Sequence, residues 1–375
     1  MRIFDVVIIG GGLSGSSTAL NLSRKGYSVL VIEKDEFRNR IPCAGGMASS
    51  MQQFLPFNIE SVVETLVEKV HFTWNFSDDV IAELKGESPF WIINREKLDN
   101  LILMKAKGLS VQTINSLTVT ELVKEDSNWI IKCINNNTFQ SKFLVIADGS
   151  SSEWSARLKL GPRKPKFAKT IAIRMDGTGT IDKQSVRFDF GVIKYGFAWA
   201  FPRKESTNIG LGTFLGHSKS INKKNISGIL EGLGFNNDSF DLIEKDLRIW
   251  NGIHNLHQDG ALVVGDAASI CDPFLAEGIR PSLISSFYAA ECIHDCFSKN
   301  SQDLSNYSEK MSKEWGQSMV WGKRIAEVFY RFPKTGYKLG VKRKTAPQRI
   351  AQILSGQMNY SDIARRVIKR LLLNR

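Results

Sequence analysis

Four short apolar runs, Val6 to Ile9, Val29 to Ile32, Phe143 to Ala147 and Ala261 to Val264, are unbroken by polar residues. Such runs are expected of strands buried on both faces of a parallel sheet. Elsewhere apolar and polar positions alternate: around Phe72, Trp74 and Phe76, at Phe90 to Ile93, over Leu117 to Val123, and over Trp129 to Ile134. The same period of two returns at Thr170 to Arg174, Val186 to Phe190, Gly196 to Phe201 and Asn208 to Phe214, predicting a mostly antiparallel sheet between 169 and 215. Helical stretches are expected after the first apolar run, from Asn94 to Gly108, over an interlude at about 219 to 246, from about 279 to 297, and over 300 to 333. At 375 residues the chain exceeds the size of one ordinary core, so two or more domains are expected.

The first run feeds directly into Gly10, Gly12 and Gly15 at G-x-G-x-x-G spacing, followed by an Ala/Leu-rich helix and a second run that ends on Glu33. Gly10 allows a tight turn, Gly12 lets a pyrophosphate approach the backbone, and Gly15 lets the helix lie close to the strand. The helix N-terminus, around Ser14, presents unpaired N–H groups and a positive dipole end to that pyrophosphate. Glu33 stands where a carboxylate accepts hydrogen bonds from adenosine ribose hydroxyls. Strand, turn, helix, strand and acid together predict dinucleotide binding. A late strand, Gly260 to Gly265, ends on Asp266, so the nucleotide-binding part is interrupted and completed late in the chain.

Hydrophobic residues at 42% and charged residues at 23% describe an ordinary globular chain. Asp5 and the early glycines break any apolar leader, and no run of eighteen apolar residues occurs; neither a secretory signal nor a membrane span is expected. The five cysteines, Cys43, Cys133, Cys271, Cys292 and Cys296, contain no C-x-x-C pair, which argues against a disulfide framework or structural zinc and fits a reducing cytoplasm. His254 and His257 lack a neighbouring carboxylate, and no metal is expected. The net charge of +12 is concentrated in the tail: eleven Lys or Arg from Lys334 onward face Asp362 alone, leaving +2 for residues 1 to 333. In the last stretch Ile363, Val367 and Leu371, with Ile368 and Leu372, share a helical face among Arg365, Arg366, Lys369 and Arg370. That pattern reads either as an interfacial helix on anionic lipid or as a solvated basic helix. No nucleic-acid recognition motif accompanies the charge.

Several segments together resemble the FAD-dependent geranylgeranyl reductase family, within the aromatic-hydroxylase-type flavoprotein superfamily. They are GGGLSG with Glu33, Pro42-Cys43-Ala44-Gly45-Gly46, Asn94-Arg95 with Asp99, Ala147-Asp148-Gly149, YGFAWAFPRKESTNIGLGT, and GDAASICDPFLAEGI. The chain departs from the family at Ala44 and Ala276, where glycine is usual. The resemblance implies an α/β fold: a Rossmann-type FAD-binding domain (1–65, 93–165 and 255–298), an inserted antiparallel-sheet substrate domain (66–92 and 166–254), and a helical C-terminal region (299–375) with a basic tail. It implies FAD held by Gly10, Gly12, Ser14, Gly15, Glu33, Ala44, Gly45, Gly46, Arg95, Asp148, Asp266, Gly278 and Ile279. From residues alone, the Cys43–Gly46 loop reads equally as a plain surface turn, and Arg95 as a surface arginine at a helix start.

The reaction implied is saturation of isolated C=C bonds in a polyprenyl substrate. Such an alkene has no carbonyl to hold negative charge, so a proton donor is required, and Cys43 is the candidate. Alternating Phe188, Phe190, Tyr195, Phe197, Trp199 and Phe201 would either line a tunnel for the chain or form a sheet core. No second G-x-G-x-x-G is present, so electrons are expected from NADPH bound transiently or from a reduced protein carrier. The other readings are a flavin monooxygenase, a halogenase and a non-catalytic FAD-binding protein. A halogenase would carry Trp-x-Trp-x-Ile-Pro where this chain has Phe197-Ala-Trp199-Ala-Phe201-Pro202. The expected location is the cytoplasm, with peripheral membrane contact through the tail.

Overall fold

The computed structural model describes residues 2–36, 43–86, 89–215, 221, 223–235 and 240–373. The unbroken apolar runs form the centre of an eight-stranded sheet ordered His257–Gln258, Ala261–Val263, Thr138–Ile146, Arg2–Ile9, Val29–Ile32, Gln112–Ile114. Its last five strands in that order are mutually parallel. The hairpin Val119–Glu125 and Asn128–Cys133 is attached antiparallel to the outer half of Thr138–Ile146.

The helix Leu13–Ser23 is buried along its whole length, which its small, hydroxyl-rich sequence permits. Most buried hydroxyls find partners, although Ser17 Oγ of this helix has none among the described residues. Ser16 Oγ donates to Gly11 O and Thr18 Oγ1 to Ser14 O, both at 2.8 Å, so their polarity is absorbed by the helix itself. The long helix Ile279–Ser298 packs beside it, and Ser286 Oγ donates across the interface to Ser14 O at 2.8 Å.

The alternating segments form a seven-stranded sheet ordered Ile243–Ile249, Lys166–Asp176, Ser206–Thr213, Gly196–Pro202, Ser185–Phe190, Lys69–Trp74, Ser77–Glu83. It is antiparallel except where Ser185–Phe190 meets Lys69–Trp74. The period of two sorts its side chains. Phe197, Trp199 and Phe201 face inward to a cavity, while Ala198 and Ala200 join a separate core with Ile226, Ile229 and Leu230 of the helix Lys223–Gly232. The expected helical interlude at 219–246 is therefore corrected: within its described residues the helix covers only Lys223–Gly232. Ile243–Ile249 is a strand because it pairs antiparallel with Lys166 to Ala172, a long-range partner invisible to local periodicity.

A third, three-stranded sheet joins Gly46–Ala48, Phe90–Ile93 and Val63–Val67. Its strands run across residues 65 and 92, where the sequence reading places edges of the substrate part. C-terminal helices then cover the aromatic side of the seven-stranded sheet. Phe329 packs on Phe190 with ring centroids 5.0 Å apart, and the Tyr337 hydroxyl donates to Phe72 O at 3.0 Å. The final helix, Tyr360–Leu373, starts against the core, with Ala364 buried and Ile363 half-buried. The side chains of Val367, Ile368, Arg370, Leu371 and Leu372 lie outside the described residues. Among the described residues no helix is long and apolar enough to cross a membrane.

The glycine turn makes a quantitative test. A methyl on Gly15 would stand 1.9 Å from Gly10 O, whereas one on Gly12 would meet nothing within 4 Å. Gly15→Ala is expected to cost about 2–3 kcal/mol, because helix and strand must separate. Gly12→Ala should cost no more than about 1 kcal/mol, as a helix-start glycine replaced by alanine. Urea unfolding of the two variants measures the difference; equal losses would contradict the packing described.

Candidate active site

A cavity of about 340 Å³ opens where the three sheets and the C-terminal helices meet. Two helix N-termini reach it: Gly12, Leu13 and Ser14 from the first helix, and Gly278, Ile279 and Ser282 at the start of the long helix. Asp266 enters from the turn after Ala261–Val263, the loop Cys43–Gly46 from another side, and Arg95 with Asp99 from the helix Arg95–Lys107. The remaining wall is largely apolar: Phe90, Phe188, Phe197, Trp199, Phe201, Leu247, Leu275 and Leu354.

Of the residues expected at the site, Gly12, Ser14, Cys43, Ala44, Gly45, Gly46, Arg95, Asp266, Gly278 and Ile279 are thus brought together. Gly10 and Gly15 do not line the cavity; they let backbones touch, a Cβ on Gly10 falling 2.2 Å from Ala147 O. Glu33 stands behind the glycine turn, where its Oε2 accepts from Gly11 N–H at 2.7 Å. Asp148 does not face the cavity, although its neighbours Ala147 and Gly149 do. Its Oδ1 is buried without a hydrogen-bond partner among the described residues, and burial raises its pKa.

The Cys43–Gly46 loop is more than a surface turn. Gly45, at φ +86°, would place a Cβ 2.3 Å from Ile93 O, and a Cβ on Gly46 would strike Phe90 and Phe201. The close approach read from these glycines is therefore made, on the Cβ side, by the protein itself. Ile41 and Pro42 lie outside the described residues. Ala44 has no left-handed backbone, so it sits there without strain; Ala276 does, at φ +59°, where the usual glycine would be relaxed.

Arg95 is not a surface arginine. Asn94 caps its helix by accepting from Lys97 N–H, which aims Arg95 inward. The guanidinium donates twice to Asp99, at 3.0 Å each, and its Nη1 stands 3.6 Å from Cys43 Sγ. Burial alone would lower its pKa, but Asp99 and the Cys43 sulfur outweigh that and hold it above the ordinary value. Arg203 secures the same loop from behind, donating to Cys43 O at 3.0 Å.

Glu277 was not singled out from the sequence. Its signal was the acid directly before Gly278-Ile279, in a segment already noted for other reasons. It lines the cavity and is almost fully buried, with Arg280 Nε 2.9 Å from Oε1. Burial pushes its pKa up to about 7, assisted by Asp272 and opposed by Arg280. Arg280 also donates to Ile353 O and Leu354 O, fastening the helix Ala346–Leu354 over the cavity.

His254 and His257 are engaged separately, by Asn251 at 3.0 Å and Ser308 at 2.7 Å. Among the described residues no cluster of three potential metal ligands exists.

Comparisons with known proteins bear on the family and on the fold. The family described as FAD dependent oxidoreductase (DAO) matches residues 5–50. A digeranylgeranylglycerophospholipid reductase 2 of Methanothermobacter thermautotrophicus is 25% identical over 341 residues, covering 84% of this chain and 85% of the relative. A geranylgeranyl bacteriochlorophyll reductase-like structure from Thermoplasma acidophilum superposes with TM-score 0.79 at 19% identity, covering 96% of this chain and 93% of its own. The halogenase PltM, solved with phloroglucinol and FAD, follows with TM-score 0.71 at 15% identity, covering 94% and 83%. The fold is thus the expected α/β arrangement of an FAD-dependent oxidoreductase, with a mainly parallel sheet, an antiparallel sheet and packed helices.

The raised pKa of Glu277 has a sign that can be checked. It is about 7 in the folded chain against 4.5 for the free side chain. Its contribution to stability is therefore complete below pH ~4.5 and lost as pH rises through ~7. The groups around it are Arg280 on the helix that follows, Asp272 and Cys271 earlier in the same turn segment, and Tyr360 on the last helix. Glu277→Gln should gain stability relative to the parent by roughly 3 kcal/mol between these limits. Urea midpoints of both proteins across that pH range measure this, and parallel curves would contradict a carboxyl held neutral.

Proposed function

We propose that this chain, an FAD-dependent oxidoreductase of geranylgeranyl reductase-like type, saturates isolated C=C bonds in a geranylgeranyl or longer polyprenyl chain. The observation that carries this reading is the single cavity into which two helix N-termini, Asp266, the Cys43 loop and an aromatic sheet face all open. A polyprenyl chain carried on a glycerophospholipid, as in the relative's name, is the substrate class we favour.

The residues present fit FAD. The empty space at a Gly12 Cβ leaves the helix start open to a diphosphate. Gly278 has only Asp266 Oδ1 and Cys271 Sγ near its Cβ position, so Asp266 and the second helix start share one open corner for a ribityl chain and an electron-rich ring edge. We assign Gly10, Gly12, Ser14 and Gly15 to the diphosphate turn, with Glu33 and Asp148 behind it. Ala44, Gly45, Gly46, Arg95, Gly278 and Ile279 would hold the ring. Bound FAD, once reduced by NADPH or a protein carrier, supplies the hydride that an unactivated alkene carbon needs.

The chain's own residues do the rest. The Phe188, Phe197, Trp199 and Phe201 wall excludes water and takes the hydrocarbon. Cys43 gives the proton on Sγ to the second alkene carbon, and the Arg95 guanidinium, 3.6 Å away, stabilises the thiolate left behind until the product leaves and solvent returns to reprotonate it. We read 1–65, 93–165 and 255–298 as the cofactor part, 66–92 and 166–254 as the substrate part, and 299–375 as its helical cover. A substrate of this class resides in a bilayer, so we place the protein in the cytoplasm at an anionic membrane surface.

The test is anaerobic reduction of the FAD-loaded protein followed by mass spectrometry of a geranylgeranyl phospholipid, which should gain two mass units per bond reduced. Cys43→Ala should keep FAD and lose about 10²-fold or more in rate. A parental rate in Cys43→Ala would remove the proton role. Substrate-dependent oxygen uptake or a halide-dependent product in place of alkene reduction would overturn the reading itself.

A further inference from the structure

Elsewhere along the described chain exposed large apolar side chains occur singly or, as at Met104 and Leu109, as a pair. One segment differs. Val328, Phe332 and Leu339 are 65%, 59% and 53% exposed within twelve residues. The same stretch, 328 to 344, carries Arg331, Lys334, Lys338, Lys342, Arg343 and Lys344 and no acidic residue. Lys342 pairs with Asp78 at 2.5 Å. No ion pair is formed by the other five among the described residues.

The helices bearing this patch are firmly seated. Phe329 packs on Phe190 and Phe274, at 5.0 and 5.3 Å between ring centroids. Tyr337 and Val341 are buried, and the Tyr337 hydroxyl donates to Phe72 O and Asp78 O. Leu339, two residues on from Tyr337, falls on the opposite helical face and turns outward. Phe332 ends the helix that carries Val328, four residues on, and its N–H still donates to Val328 O at 3.1 Å. Their exposure follows from the fixed orientation of these helices.

We propose that the surface bearing Val328, Phe332 and Leu339, with Arg331, Lys334, Lys338, Arg343 and Lys344 around them, docks on an anionic lipid bilayer. The cations meet headgroup phosphates and the three apolar side chains enter the interface, the division of labour of a monotopic anchor. A second copy of this chain is a poor occupant, because the face would bring like charges together. The position also suits the cavity. Phe197 of its wall packs on Phe190 at 5.9 Å, and Phe190 packs on Phe329 and Tyr337, so the patch is the outer side of the same aromatic wall. The inference rests on the reading that the protein works at a membrane. It locates the contact ahead of the last helix, whose first turns face the protein.

Vesicle co-sedimentation of the 375-residue, FAD-loaded protein tests it without turnover, so its failure is separate from a failure of alkene reduction. The parent should bind phosphatidylglycerol-containing vesicles and release them at high salt, and should bind pure phosphatidylcholine weakly. Phe332→Ser with Leu339→Ser, and separately Lys334→Glu with Lys338→Glu, should each weaken binding by about tenfold or more. Arg365→Glu with Arg366→Glu, in the tail helix, should change it by less than about threefold. Unaltered flavin absorbance and melting would show these exposed variants to be folded. Parental binding by both patch variants would overturn the proposal, as would indifference of the parent to phosphatidylglycerol. So would patch variants that bind vesicles normally but lose reduction by an acidic protein carrier.

Discussion

Backbone contact between the first helix and the sheet is the constraint on which the rest depends. Neither Gly10 nor Gly15 has room for one carbon more: Ala147 O and Gly10 O occupy those positions. Because the helix lies this close, its start is held at the C-terminal edge of the parallel strands, where ligands of open α/β sheets bind. Its small residues then let Ile279–Ser298 lie alongside, with Ser286 bonded to Ser14 O. Two helix starts thus reach one cavity from packing alone, and two positive dipole ends are available there before any ligand arrives.

A second, polar constraint closes the opposite side. The turn between Asp272 and Gly278 carries Ala276 in a left-handed conformation, which costs about 1–2 kcal/mol for a residue with a Cβ. Asp272 holds the turn by accepting from Phe274 N–H at 2.7 Å and Leu275 N–H at 3.0 Å, and it also accepts from the Tyr360 hydroxyl at 2.7 Å. Arg280 links the same turn, through Glu277, to the carbonyls that end Ala346–Leu354. The C-terminal helices are therefore tied to the cavity wall by buried hydrogen bonds as well as by aromatic packing. A buried donor or acceptor left unpaired is expensive, so displacement of this cover requires breaking several of these bonds together.

The opening strand, turn, helix and strand were legible because each is specified within a few residues: an unbroken apolar run, glycines at fixed spacing, an acid at the next strand end. The alternation at Phe197, Trp199 and Phe201 was legible too, although whether those aromatics would line a cavity or fill a sheet core was not. What escaped was set by distant partners. Ile243–Ile249 became a strand by pairing with residues some eighty positions earlier. Leu354 reached the cavity because Arg280 holds the carbonyls beside it. Asp148 fits a recognised motif, yet it does not line the cavity that its neighbours line, and its Oδ1 is buried. Arg95 was ambiguous until Asp99, one helical turn on, and Cys43, from another segment, fixed its direction.

The two walls of the cavity impose opposite demands, and the period-two sheet meets both at once. Phe197, Trp199 and Phe201 give the inner face a broad, dry surface on which a hydrocarbon gains from leaving water. Ala198 and Ala200, between them, keep the outer face flat enough for Ile226, Ile229 and Leu230 to pack on it. Enlarging those alanines would push the strand inward and narrow the cavity. The polar wall works differently: Arg95, Asp99 and Cys43 are matched to one another, so charge is carried into a low-dielectric space without an unpaired ion. An apolar chain lying on the aromatic side would displace water from around the Cys43 sulfur. Loss of that water would strengthen the pull of Arg95 on any negative charge at that sulfur.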